Sequence, residues 1–171
     1  MVLVLLLNQL LLVVLRYKGP YKKRFYLNHI GLFIYISSLS FGSADMYRWK
    51  AILTPGETTD KAYDYKGIPH SLGYDIKLDS FQISFYDNHT PQTFIATVSS
   101  ASETHHIQVN QPWHKTWKED IYLTNYGTFQ ESGKEYCVLE FITQPWKLAV
   151  DLGMILTVAG GILLLWGKKN K

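Results

Sequence analysis

Apolar residues crowd the two ends of this chain, and polar ones fill its middle. Residues 1–15 are apolar except for Asn8 and Gln9. A helix of about fifteen residues covers about 22 Å, short of a hydrocarbon core of about 30 Å, so the predicted first span extends through residue 17. Asn8 and Gln9 are expected to face another helix, because a bare amide is costly in lipid. A signal peptide would carry its positive charge before the apolar run and a small-x-small cleavage site after it. Here the positive residues follow the run and no such site follows Leu15, which points to a retained span. A second run, FYLNHIGLFIYISSLSFG, contains no Asp, Glu, Lys or Arg and predicts a span over 25–43. A third, LAVDLGMILTVAGGILLLWG, predicts one over 147–167, with Asp151 near its start. Gly153, Ala159, Gly160 and Gly161 offer small surfaces for close helix packing, and Trp146 and Trp166 bracket the segment as interfacial anchors.

Residues 44–146 read differently. Turn formers punctuate them at Pro55-Gly56, Gly67-Ile68-Pro69, Leu72-Gly73, Asp87-Asn88, Thr90-Pro91, Gln111-Pro112 and Ser132-Gly133. Between these lie short runs rich in β-branched and aromatic residues. In DIKLDSFQISFYD, Ile76 and Leu78, then Phe81, Ile83 and Phe85, alternate onto one face. TFIATVSS, HHIQVN, DIYLTNYG and EYCVLEFIT follow. Six or seven strands in about a hundred residues predict an all-β sandwich or open barrel. The expected fold class is therefore a membrane protein, with transmembrane helices flanking an extracytoplasmic all-β domain.

Charge sets the orientation. The 171 residues carry a formal net charge of +3, but the placement matters more than the sum. Basic residues gather at Arg16, Lys18, Lys22, Lys23 and Arg24, and again at Lys168, Lys169 and Lys171. Each cluster abuts an apolar run, which marks the cytoplasmic side of a span and not a nucleic-acid site. The loop 18–24 and the tail 168–171 are thus expected inside, and the middle domain outside. Cys137 is the single cysteine, so no internal disulfide can staple that domain, and it reads as a half-buried strand thiol. Zinc-ligand spacing, a glycine-rich phosphate loop, a C-x-x-C-H haem attachment motif and a carboxylate pair suited to acid–base catalysis are all missing from the sequence. An enzyme is not expected.

Five ordered blocks resemble the ResB family, also called CcsB, of System II cytochrome c biogenesis. They are LNHIGLF with FGSAD (27–33 and 41–45), the Gly56-Glu57 turn, LGYDIKLDSFQISFYDNHTPQTFIATV (72–98), IQVNQPWHKTWKEDIYLTNYG (107–127) and LEFITQPWKLAVDLGMILTVAGGILLLWG. The family's usual VNHP reads Val109-Asn110-Gln111-Pro112 here, with His114 three residues beyond the missing histidine. The resemblance implies a component of the bacterial inner (cytoplasmic) membrane that works with a CcsA/ResC-like membrane protein. Together the two would carry haem across the bilayer and present it to apocytochrome c.

His29 is the foremost candidate haem ligand. An ionisable side chain inside a span is a functional hypothesis by default, and imidazole is a standard axial ligand of haem iron. The resemblance matches it to a transmembrane histidine of the family, with Asn28 able to support it by hydrogen bonding. The plainer reading is an imidazole bonded to a neighbouring helix. His114, between Trp113 and Trp117, is a lesser candidate for a haem-edge or apoprotein contact, and those tryptophans also suit a core or a membrane-facing rim. His105 and His106 occupy adjacent strand positions and point to opposite faces, as surface polar residues. His70 and His89 are expected in solvated turns. The alternative function is a membrane-anchored interaction module without a cofactor.

Overall fold

The computed structural model describes residues 2–19, 22–88 and 91–166. His89 and the basic tail 168–171 lie outside the described residues. The chain divides into two compact units, one formed by Met1–Met46 with Gln144–Lys171, the other by Tyr47–Thr143.

The second unit holds eight strands where the sequence pattern suggests six or seven. They are β1 (Tyr47–Leu53), β2 (Thr58–Tyr63), β3 (Pro69–Phe85), β4 (Pro91–Ser100), β5 (Glu103–Gln108), β6 (Trp113–Thr116), β7 (Glu119–Thr128) and β8 (Glu135–Thr143). All pairings are antiparallel, in the order β5-β4-β3-β2-β1-β8-β7-β6. This is an up-and-down meander in which the first strand pairs with the last. Two joints are narrow. β1 and β2 meet in register at Lys50↔Tyr63, and β5 and β6, the two ends of the order, are joined in sequence by a turn that holds the isolated bridge Gln108↔Gln111. The sheet is therefore two four-stranded ribbons, β2–β5 and β6–β8 with β1, curled until their inner faces meet. Tyr126 of β7 packs against Phe81 of β3 and Phe94 of β4, and the Tyr74 hydroxyl donates to Glu119 across the ribbons at 3.0 Å. Of the two expected architectures, the open barrel is the one observed.

Alternation drives the curl. Inward positions repeat every second residue as Ala51 and Leu53, Ile76 and Leu78, Ala96 and Val98, Ile121 and Leu123, and Cys137, Leu139 and Phe141, all buried. A bulge between Leu78 and Ser80 moves the inward set of β3 to Phe81, which accounts for the break in its hydrophobic pattern. Burying each large aliphatic side chain contributes about 1.5–3 kcal/mol. The interior is filled by these residues. Cys137 is fully buried among them, which corrects the half-buried reading, and burial pushes its thiol up to about 12. The Gly56-Glu57 motif also has a local cause. Gly56 adopts φ +88°, and the Glu57 carboxylate accepts from the backbone N–H and the hydroxyl of Thr54.

The first unit is three helices: α1 (Val2–Arg16), α2 (Lys22–Gly42) and α3 (Lys147–Leu165). α2 begins inside the basic segment assigned to a loop, since Lys and Arg are good helix formers. α2 and α3 run antiparallel, with backbones in near contact. A Cβ built on Gly31 would lie 2.5 Å from the Thr157 nitrogen. One on Gly153 would lie 2.5 Å from the Tyr35 nitrogen, and one on Gly160 2.5 Å from the Asn28 nitrogen. Hydrogen bonds reinforce the seam: Asn28 Nδ2 donates to the Thr157 carbonyl at 2.8 Å, and Arg24 to the Leu163 carbonyl at 3.2 Å. Asn28 thus ties α2 to α3 instead of supporting His29. Gly161, by contrast, sits off the seam, its nearest neighbour 3.6 Å away.

Two outcomes follow. Gly160→Val should drive the helices apart and lower stability by about 2 kcal/mol, whereas Gly161→Ala should be nearly neutral; thermal denaturation of the two purified variants in detergent checks this. Cys137 should stay unlabelled by a thiol reagent at pH 8 in the native protein and react fully after denaturation, because the buried thiol is both protonated and inaccessible.

Candidate functional site

His29 lies in the second turn of α2. Its Nδ1 is 2.9 Å from the carbonyl of Phe25, one helical turn earlier. A carbonyl only accepts, so Nδ1 carries the proton and the neutral ring keeps its lone pair on Nε2. This is the tautomer a metal-ligating imidazole needs. The ring is also packed: Phe25 lies against it with centroids 4.0 Å apart, and Tyr17 stacks on Phe25 at 3.9 Å. The Tyr26 hydroxyl donates to the Val14 carbonyl and holds α1 to α2 at this level. Beside the aromatic stack, an open groove of about 290 Å³ is lined by Leu12, Val13, Arg16, Tyr17 and Phe25. Its walls are apolar and aromatic, with one guanidinium at the rim. Such a lining suits a flat apolar molecule with acidic substituents.

The histidines of the barrel have distinct settings. His70 is not in a solvated turn. It opens β3, lies flat on Trp49 with centroids 4.6 Å apart, and has Nε2 3.3 Å from Asp64 Oδ2. The backbone N–H of Ile68, with lesser help from His70 and Lys66, holds the Asp64 carboxyl below the usual range. His105 and His106 do point to opposite faces, but His105 is not a plain surface residue. It stacks on Trp113 at 3.9 Å, and its Nε2 is buried without hydrogen-bond geometry although Glu103 Oε2 is 3.3 Å away. His106 lies beside Thr97 Oγ1 at 3.1 Å. Lys115 sits over the Tyr74 ring at 3.5 Å, and burial together with the Glu119 charge raises the Tyr74 hydroxyl well above its ordinary value.

His114 stands on the edge strand β6, opposite Asp120 of β7. Its Nδ1 is 2.6 Å from Asp120 Oδ1. Trp113 is partly buried against the core, while Trp117 in the following turn is exposed. Trp146 caps α3 and donates to Asp45 at 2.8 Å. Gln111, at the position of the missing histidine, is exposed and forms the backbone bridge to Gln108 after a left-handed Asn110.

His29 and His114 belong to different units, and each has a partner that sequence reasoning missed. Phe25 could be found from the i, i+4 spacing on a helix. Asp120 could be found only from the register of a tight hairpin. Among the described residues, no group of three or more His, Cys, Asp or Glu side chains converges to hold a metal ion.

One helix among the described residues, Lys147–Leu165, is long and apolar enough to cross a bilayer by length and composition, and α1 is a shorter apolar helix. α2 is long enough, but its first turn carries Lys22, Lys23 and Arg24.

No curated protein matches the chain. The model of the ResB-like family matches residues 17–140, which takes in α2, the Gly56-Glu57 turn and nearly the whole barrel. With most of its length covered by that match, the chain belongs to the ResB-like family, associated with cytochrome c biogenesis.

Proposed function

We propose that this chain is the accessory half of a System II haem-delivery complex. It acts with a CcsA/ResC-like membrane protein and passes haem to apocytochrome c. In this reading the helical unit lies in the bacterial cytoplasmic membrane as a multi-pass anchor and the barrel lies outside. Haem is cargo, held through His29 near the cytoplasmic side. The chain supplies no nucleophile of its own and works as an assembly factor, not an enzyme.

The membrane placement is supported by the inverted packing of the helices. Glycines face the α2–α3 seam, while Leu148, Leu152, Ile155, Val158 and Ile162 are exposed. A water-soluble helix pair would bury those large side chains; lipid solvates them. The basic residues at the start of α2 favour a cytoplasmic location for that end.

The observation that carries the haem reading is the Nδ1 bond of His29 to the Phe25 carbonyl. It leaves Nε2 of the neutral tautomer with the lone pair, and Phe25, packed on the ring, also lines a groove whose arginine can meet a propionate. When bound, haem supplies the iron and the vinyl groups that react with apocytochrome thiols. This chain's residues orient it and shield it.

A second reading has its own support. The barrel interior is filled, so that unit works by its outer surface. A groove of about 540 Å³ at the β1–β2 joint, lined by Arg48, Lys50, Ile52, Tyr63 and Tyr65 among others, would suit a protein partner of a cofactor-free module.

An absorption spectrum of the detergent-purified protein, coexpressed with its CcsA-like partner, separates the readings. Wild type should show a Soret band that His29→Ala removes or reduces at least tenfold. A band unchanged by the substitution would move the ligand to the partner and leave this chain as scaffold. A colourless wild type would favour the cofactor-free module.

A further inference from the structure

Among the described histidines of the barrel, the β6–β7 hairpin holds one set up unlike the others. Asp120 is a carboxylate only 4% exposed, and a buried carboxylate is costly unless it is paired. His114 is one of its partners, at 2.6 Å through Nδ1, yet the His114 side chain is 65% exposed. The carboxylate therefore holds a proton on Nδ1, and in the neutral tautomer of this largely solvent-facing ring the lone pair lies on Nε2. A carboxylate behind the ring also raises the donor strength of Nε2, as it does for histidines that ligate metals. His70 and His105 lack this combination. One lies flat on Trp49 and the other has its Nε2 buried against Trp113.

Two exposed side chains follow His114 in the turn. Trp117, three residues on in the turn, is 53% exposed and offers a flat apolar face. Lys118 beside it is exposed and can meet a carboxylate. Thr116 Oγ1 accepts from the backbone N–H of Glu119 at 3.1 Å and holds the turn closed, so the exposed ring is presented on an ordered hairpin.

We propose that His114, positioned by Asp120, is an external axial ligand that takes haem iron through Nε2 on the outer surface of the barrel. The proposal rests on the haem-carrying reading and adds a second station to it. Transfer onto His114 is a ligand exchange: the iron–nitrogen bond to the donor imidazole breaks as the bond to Nε2 forms. Each imidazole keeps its Nδ1 proton and no electron moves. A ligand on an edge strand, with one exposed indole beside it, binds haem more weakly than an enclosed pocket would. That property suits handing the cargo on.

The test is a haem titration of the full-length detergent-purified chain, followed by the Soret band, in a His29→Ala background. That variant loses the haem it would carry out of the cell, but haem added to the isolated chain should still bind it, with the spectrum of a histidine-ligated iron. Adding His114→Gly should weaken binding at least tenfold, and free imidazole should restore the band by filling the vacated site. His114→Gln, whose amide can still donate to Asp120, should lose the iron bond while circular dichroism stays unchanged. Asp120→Asn should keep the band but weaken binding about tenfold. Unchanged titration in His114→Gly and His114→Gln, or loss that imidazole does not rescue in a folded protein, would overturn the proposal. The two stations can fail separately. If His29→Ala matches wild type while His114→Gly loses the band, the inner ligand is wrong and the outer one stands.

Discussion

Everything in the barrel depends on the pairing of its first strand with its last. β1 and β8 are matched in seven consecutive pairs, from Tyr47↔Thr143 to Leu53↔Cys137. The two strands lie some ninety residues apart in sequence, so closing that loop costs entropy before any contact repays it. Repayment comes from the inner face: Leu53, Cys137, Leu139 and Phe141 are buried along this ladder. With the ladder formed, the chain enters and leaves the barrel on neighbouring strands. The β1–β2 joint and the β5–β6 joint are narrow, and the β1–β8 ladder is what keeps one ribbon whole.

The helical unit obeys the opposite rule. Its interior is made of small residues and backbone, and its surface of Leu, Ile and Val. Close approach at Gly31, Gly153 and Gly160 lets the Asn28 amide reach a carbonyl on α3, which replaces hydrophobic burial as the source of specificity. The same helix then carries His29 with its tautomer set by its own backbone. In the barrel, a buried carboxylate performs that task for His114. Two unrelated local devices prepare two imidazoles as Nε2 donors.

Much of this was legible in the sequence. Alternation marked the inner face of β3 on either side of its bulge, β-branched and aromatic runs marked β4, β5, β7 and β8, and a run of small residues in the last apolar segment marked its packing face. His29 stood out as an ionisable residue in an apolar stretch. Other features were hidden for physical reasons. The bulge in β3 breaks the two-residue period, and β6 is only four residues long, so the strand count came out low. His70 sits three residues after a turn glycine and looks solvated, until the fold lays Trp49 on it. Asp120 follows Glu119 and reads as an ordinary charged strand edge. Only the register of the hairpin reveals it as the buried partner of His114. Asn28 and His29 are adjacent and invite a joint role, yet helical geometry turns one toward α3 and the other toward Phe25.

The proposed function requires the barrel to lie outside a membrane that the helices cross. Tyr65 is 90% exposed on the barrel, and Cys137 is the only native thiol. In a Cys137→Ser background, Tyr65→Cys can be probed with a membrane-impermeant maleimide on spheroplasts whose inner membrane is intact. The account predicts full labelling without lysis. Labelling that requires the membrane to be opened would put the barrel inside and contradict it.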